Sequence, residues 1–473
     1  CASALTLAKQ HRMTDRHTMA AADAAWLGMD RPVNLMVINA VLWFDEPLDW
    51  DRARDVFRER IVERFPRFSQ RVHEGGPLSR PFWKDDENFD IGLHLHRRAL
   101  PAPGDRAALQ EVVSDLVAQP LGRSRPLWDI YMLEGYGPGS ALLMRMHHCI
   151  ADGIALARVM MSLTDGADRA DGASGGFRAD DAPHRGRLAT SEHLVGAALH
   201  EGFETVLHPR ARAVALARTA SQDARTLAKL MAPTFDPTSS LKGRQRIAHR
   251  VVWSAPVQLS RVKAIGRDTG TTVNDVLVAA VAGAVGRDLR EHHDVVGEVH
   301  AMVPFNLRPL GQPLERDLGN KFGLISLPLP TGIEDPLERL RVVHDAMEAI
   351  KHSHEGPLVY GVLGALGRAP AIVEEKVIDF FSAKATMVLT NVPGPRGTVT
   401  LAGAPVRGVL VWAPCSGSVG MSVSVFSYAG KVTVGLLVDA GLVAEPQELA
   451  DGFRSQLLLL ARRAKAAAPV AAG

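Results

Sequence analysis

The sequence predicts an α/β fold, and three observations carry that reading. Strand-length apolar runs recur along the chain, as at residues 141–146 and 387–392. Between them lie amphipathic helical segments, such as 49–64 and 335–353, whose apolar side chains recur at helical spacing. The composition changes once, over residues 164–187, where Gly, Ala, Asp and Arg displace the large apolar residues. That stretch reads as a linker.

The bulk numbers bound the answer. The chain has 473 residues, enough for the cores of two or three domains. Hydrophobic residues make up 46% and charged residues 22%, an ordinary globular balance. A net charge of +2 makes no global case for nucleic acid. Three cysteines cannot build a disulfide framework, which points to a reducing compartment. No apolar run reaches the ~20 residues that span a bilayer. Met13-Thr14-Asp15-Arg16 reads as a natural opening of the chain.

In order, residues 20–27 read as a short Ala-rich helix and 33–44 as a strand. A helix over 49–64 turns the core toward Val56, Ile61 and Val62, and strands follow near 65–72 and 81–85. Residues 89–100 alternate, with His94 and His96 on one face. No third ligand follows at useful spacing, so they read as a solvated face, with no metal. A helix over 106–119 leads to Arg125-Pro126-Leu127-Trp128, a Pro-shaped turn anchored by a buried Trp.

The chemistry concentrates in His147-His148-Cys149-Ile150-Ala151-Asp152-Gly153, between the strand at 141–146 and a helix at 154–161. Adjacent histidines at a strand end face opposite sides. One can face a cavity while the other packs inward. A neutral imidazole can take a proton from a hydroxyl or amine, and beside an activated acyl group that yields acyl transfer. An ordinary imidazole would lose this activity as pH falls through ~6.5. Asp152 stands four residues after His148, where it can cap the following helix. Gly153 keeps the backbone beside it uncrowded. Cys149 reads as packing.

Helical segments over 191–230, broken at Pro209, interleave Arg210, Arg212, Arg218, Arg225 and Lys229 with Val214, Leu216, Leu227 and Leu230. Such a face suits an anionic lipid surface or a crossover helix with its basic side in water. Ordered structure resumes at Phe235, with a strand over 249–256 and helices over 259–267 and 275–289. Asn274-Asp275 opens the second helix, either as a capping pair or as a substrate contact. Arg308 could pair with Asp152 or with a phosphate, and a structural ion pair is the favoured reading. Residues 360–371 are apolar and Gly-rich, as in a tunnel wall or helix hairpin. Residues 417–428 and 431–439 form a hairpin turning at Ala429-Gly430, and a helix over 446–465 closes the chain.

His147-His148-x-x-x-Asp152-Gly153 is the signature of the acyltransferases built like chloramphenicol acetyltransferase. The rest of the chain resembles the bacterial wax ester synthase/diacylglycerol acyltransferase family. The matching elements are Asp23-Ala24-Ala25-Trp26-Leu27, Arg125-Pro126-Leu127-Trp128, Asn274-Asp275, Pro304-Phe305-Asn306-Leu307-Arg308, Gly319-Asn320 and Asn391-Val392-Pro393-Gly394-Pro395. Lys242 stands where the family usually has Asn, and no Asp-Phe-Gly-Trp-Gly motif of the plant branch occurs. The resemblance implies two chloramphenicol acetyltransferase-like domains with mixed sheets flanked by helices. They would occupy 13–165 and 246–473, with linker and crossover helices over 166–245 and an active-site tunnel between them. It implies His148 as general base, His147 shaping the site, Asp152 and Gly153 setting the loop, and Asn274 with Asp275 as second-rank site residues. It implies acyl-CoA as a substrate rather than a cofactor, and diacylglycerol or a fatty alcohol as acceptor. The setting it implies is cytoplasmic, at a membrane or lipid-inclusion surface. A condensation-type synthase and a non-catalytic lipid-droplet coat protein are the alternatives.

Overall fold

The computed structural model describes residues 17–74, 80–165, 232, 234–295, 297–308, 314–351, 355–366 and 371–467. The helical reading of 191–230, with its basic face, lies outside the described residues.

The first half contains β1 (His17–Thr18), α1 (Ala21–Met29), β2 (Val37–Phe44), α2 (Trp50–Phe57), β3 (Gln70–His73) and β4 (Phe82–Asp85). It continues with β5 (Leu95–Ala99), α3 (Arg106–Val117), β6 (Trp128–Tyr136), β7 (Gly139–His147) and α4 (Gly153–Ser162). The second half opens with β8 (His249–Trp253), β9 (Val257–Gln258), α5 (Leu259–Thr269), α6 (Val273–Glu291), β10 (Val299–Asn306) and β11 (Phe322–Leu329). Then come α7 (Pro336–Lys351), α8 (Glu355–Leu366), α9 (Ala371–Ser382), β12 (Met387–Pro393), β13 (Thr400–Leu401), β14 (Ala404–Trp412), β15 (Met421–Tyr428), β16 (Lys431–Asp439) and α10 (Pro446–Ala467).

Two mixed sheets result. The first runs β13-β14-β2-β7-β6-β5, antiparallel except where β5 lies parallel to β6. The second runs β11-β10-β12-β15-β16-β8, with β12 parallel to both neighbours and β9 paired to β16. A small sheet, β1-β4-β3, sits apart. Strand β7 is buried along its whole length, which explains why it reads as a near-continuous apolar run. The β15–β16 hairpin turns at Ala429 (φ 47°) and Gly430 (φ 76°), the positive-φ pair that a tight hairpin needs.

The expected unit over 246–473 is crossed by one excursion. Residues 400–412 leave the second sheet and pair along β2 in the first. Gly408 in β14 allows this, because a Cβ there would lie 1.9 Å from the Trp43 ring. Trp43 stacks on Trp253 of the second sheet at 5.9 Å, so the crossing strand lies beside an aromatic seam between the halves. Among the described residues no single helix is long and apolar enough to cross a membrane.

Candidate active site

Strand β7 delivers the two histidines to the seam. The His148 N–H donates to Met36 O at 2.7 Å, and the chain then turns into α4. The next segment is stitched to the second half. Gly319 N–H donates to Ile150 O at 3.1 Å, and Ala151 bridges Gly319.

The His148 ring is held on three sides. It stacks on Trp26 at 4.1 Å and 15° and lies 5.4 Å from Phe322. Its Nδ1 is 2.9 Å from Asn320 Oδ1. The orientation of that amide is fixed by its other end. Asn320 Nδ2 donates to Asp23 Oδ1 at 2.8 Å and to His148 O at 2.8 Å, and Asn320 N–H donates to Asp23 Oδ1 at 2.9 Å. Oδ1 therefore faces the ring as an acceptor, so Nδ1 carries the proton. Nε2 keeps its lone pair. Burial pushes the imidazole pKa down to about 4, against the pull of Asp152 and Asn320. The ~6.5 of an unperturbed imidazole is therefore not the value to use for this ring, because it is buried. Burial also pushes the Asp23 carboxyl up to about 6, despite the hydrogen bonds from Asn320.

His147 faces the other way. It accepts from Cys149 N–H on Nδ1 at 3.1 Å, so in its neutral form the proton sits on Nε2, 3.7 Å from Asp30 Oδ2. Burial alone would raise Asp30, but His147, Met36 N–H and Arg123 hold it below the usual carboxylate range. Asp152 caps α4 by accepting from Ala155 N–H at 2.8 Å. Its other oxygen accepts from Arg308 Nε at 3.0 Å and Lys321 N–H at 3.0 Å. The expected Asp152–Arg308 pair is thus present, buried, and it ties the motif loop to the second half. A Cβ built on Gly153 would meet nothing within 4 Å, so the space before the first turn of α4 is open.

A cavity of about 330 Å³ reaches His148, within the size range of small-molecule sites. It runs along one face of the β10–β11 hairpin. Met302, Pro304, Phe322, Leu324 and Ser326 alternate into it, while Ala301, Ile325 and Leu327 are buried on the other face. Helices α8 and α9 roof it with Val359, Val362, Val377, Ile378 and Phe381. The wall expected at 360–371 is therefore a helix pair, described over 355–366 and 371–382.

Other expected residues fall elsewhere. Asn274 and Asp275 do not line this cavity. Asn274 Oδ1 accepts from Asn391 Nδ2. Asp275 completes a capping box with Thr272 and lies 2.7 Å from His344 Nδ1. Of the two readings open at that pair, capping is what Asp275 does. Cys149 is fully buried, and burial pushes its thiol pKa well up, so it packs. His94 corrects the solvated-face expectation. It is 1% exposed, stacks on Trp128 at 4.2 Å, and its Nδ1 meets Trp128 O at 2.7 Å. Alternation hid this, because the strand turns from a 3₁₀ segment just before His94. Among the described residues no group of three or more His, Cys, Asp or Glu is placed to hold a metal ion.

Asp23, Trp26 and Asn320 belong to the matching motifs, but their place around the His148 ring is visible only in the fold. Nothing local signals that place, since Asn320 is 172 residues from His148 and Asp23 is 297 from Asn320.

Residues 19–277 match the wax ester synthase/diacylglycerol acyltransferase catalytic domain, and residues 318–461 match the C-terminal domain of the same family. A Mycobacterium tuberculosis protein whose name reads "probable diacylglycerol O-acyltransferase" is 28% identical over 454 residues, covering 92% of this chain and 94% of its own. A second from the same species is 30% identical over 439 residues, covering 88% and 90%. The wax ester synthase/diacylglycerol acyltransferase of Marinobacter aquaeolei VT8 superimposes with a TM-score of 0.67 at 22% identity, covering 95% of this chain and 100% of that one. The first condensation domain of the calcium-dependent antibiotic synthetase follows at 0.61 and 17%, covering 97% and 98%. The fold is the two-domain, chloramphenicol acetyltransferase-like one, and the chain belongs to the wax ester synthase/diacylglycerol acyltransferase family of acyltransferases.

Proposed function

We propose that this acyltransferase moves a long-chain acyl group from acyl-CoA to the hydroxyl of diacylglycerol or a fatty alcohol, with His148 as general base. One observation carries the reading. His148 lines the cavity with Nδ1 tied to Asn320, which leaves Nε2 as the basic ring nitrogen. The acceptor hydroxyl gives its proton to Nε2 as its oxygen bonds to the thioester carbon. The tetrahedral oxyanion draws on a backbone N–H, because Asn274 does not line the cavity that reaches His148. The C–S bond then breaks, and Nε2–H returns the proton to the departing CoA thiolate. Asp152 holds the loop through Arg308 and takes no part in proton transfer. His147 supports the turn from behind. No cofactor is required, since acyl-CoA is consumed as a substrate.

We propose a cytoplasmic enzyme working at a membrane or lipid-inclusion surface. The basic amphipathic pattern at 210–231 supports that setting. The test is CoA-thiol release from palmitoyl-CoA with hexadecanol and diacylglycerol competing as acceptors. Acceptor-dependent release that vanishes in His148→Ala is expected. No release with either acceptor, or near-normal turnover in His148→Ala, overturns the proposal.

A further inference from the structure

The far end of the cavity differs from the His148 end. From Phe322 to Pro328 strand β11 advances ~20 Å at ~3.3 Å per residue. Phe322 lies beside the His148 ring, whereas Pro328 pairs with His300 on β10. Between these points the lining is mostly apolar, with Ser326 and Lys384 among it, and its far rows include Glu298 and His300. Their side chains are 59% and 31% exposed, so this end reaches solvent.

His300 is not loose at that rim. The buried Asp236 carboxylate accepts from His300 N–H at 2.7 Å and meets its Nδ1 at 2.7 Å. The same carboxylate accepts from Thr386 Oγ1 at 2.8 Å. The His300 Nε2 then lies 3.7 Å from Glu298 Oε1. A charged edge, Glu298 with His300, therefore stands at the exposed end of a mostly apolar channel, and its inner residue is anchored by a carboxylate that the proposed transfer does not use.

We propose that Glu298 and His300 set the longest unbranched alkyl chain the channel accepts when the chain's reacting end lies at His148. The inference rests on the proposed transfer at His148. An extended chain advances ~1.2 Å per bond, so ~20 Å holds ~16 bonds. Each methylene inside the channel leaves water, worth up to ~4-fold in kcat/KM (about 0.8 kcal/mol). Methylenes beyond the rim gain nothing and must desolvate a carboxylate and an imidazole.

The test measures kcat/KM over two series, acyl-CoAs from octanoyl to arachidoyl with a fixed alcohol, and alcohols of the same lengths with a fixed acyl-CoA. In one series the wild type climbs with chain length and stops near palmitoyl or its alcohol counterpart. That series identifies which substrate's chain occupies the channel. Glu298→Leu removes the exposed charge and raises the arachidoyl-to-palmitoyl ratio in that series ~4-fold or more. Met302→Trp narrows the channel between its ends, where Met302 faces Ser326, and moves the optimum to lauroyl or shorter. An active Met302→Trp protein whose optimum is unmoved in both series overturns the inference, as does an unchanged ratio in Glu298→Leu. A wild type that releases no CoA from any chain overturns the underlying proposal instead.

Discussion

His147 and His148 are one peptide apart, both almost wholly buried, and held in opposite tautomers. The His147 ring accepts a backbone N–H on Nδ1 and keeps its proton on Nε2. The His148 ring gives its Nδ1 proton to Asn320 and keeps a lone pair on Nε2. The residue type is the same, and the difference lies in what meets Nδ1. One partner comes from the next turn of the chain, the other from the opposite half of the molecule. The lesson is that basicity at this seam is a tertiary property. Which nitrogen is the basic one is fixed by Asn320, and Asn320 is itself aimed by Asp23.

The largest effect should come from removing one ring at a time. His148→Ala is expected to lower kcat by ~10²–10⁴-fold, the scale of general-base catalysis. His147→Ala should leave most of kcat and instead cost about 1–3 kcal/mol of stability, by stranding the Cys149 N–H. Steady-state CoA release and denaturant midpoints on both variants check this. Equal losses of kcat would break the contrast.

Asn320→Ala comes next. It leaves the base in place but frees Nδ1, so kcat should fall ~10–100-fold, the scale for removing such an orienting partner. KM should change little. Asn320→Gln, which keeps an amide, should recover less than Asn320→Asp, whose carboxylate can still accept the Nδ1 proton. A collapse of KM with kcat intact would show that Asn320 binds substrate rather than holding the ring.

These tests bear on how much was legible in the sequence. His148, Asp152 and the Asp152–Arg308 pair follow from spacing and charge. So do the Ala429-Gly430 turn and the helix–strand order, because each leaves a local pattern. The Asp23–Asn320–His148 chain leaves none. Its members are separated by most of the molecule, and an Asp in an Ala-rich helix looks like any surface acid. The excursion of 400–412 into the first sheet was hidden for the same reason, since a strand's alternation does not say which sheet it joins. Asn274-Asp275 shows the converse. Its local signal left a cap and a substrate contact open; Asp275 serves as a cap, and neither residue lines the cavity that reaches His148.

A smaller effect is expected at Gly153. No neighbour would meet a Cβ there, so Gly153→Ala should fold with stability within about 1 kcal/mol of the parent. Its activity should still drop ~10-fold if the open space before α4 is where the tetrahedral oxyanion sits. Full activity would mean that space is not used.

The smallest effect is a pH dependence of stability in which two groups oppose each other. His148 has a folded pKa of about 4, below the ordinary imidazole value of 6.5, so its contribution is present above 6.5 and is lost as pH falls toward 4. Asp23 has a folded pKa of about 6, above the ordinary carboxyl value of 3.8, so its contribution is present below 3.8 and is lost as pH rises through 6. Each spans about 3 kcal/mol at most. Between the two limits they nearly cancel in the parent protein. His148→Gln removes one, and its denaturant midpoint should then fall as pH rises across that window. A flat profile would contradict the raised Asp23 pKa.

The most direct test of the central claim is a nitrogen NMR titration of the protein with labelled histidine, assigned with His147→Gln and His148→Gln. In the neutral range the His148 ring should show a protonated Nδ1 and a bare Nε2, and His147 the reverse. His148 should stay neutral until pH approaches about 4. A His148 proton found on Nε2, or a ring that titrates near its ordinary ~6.5, would contradict the account.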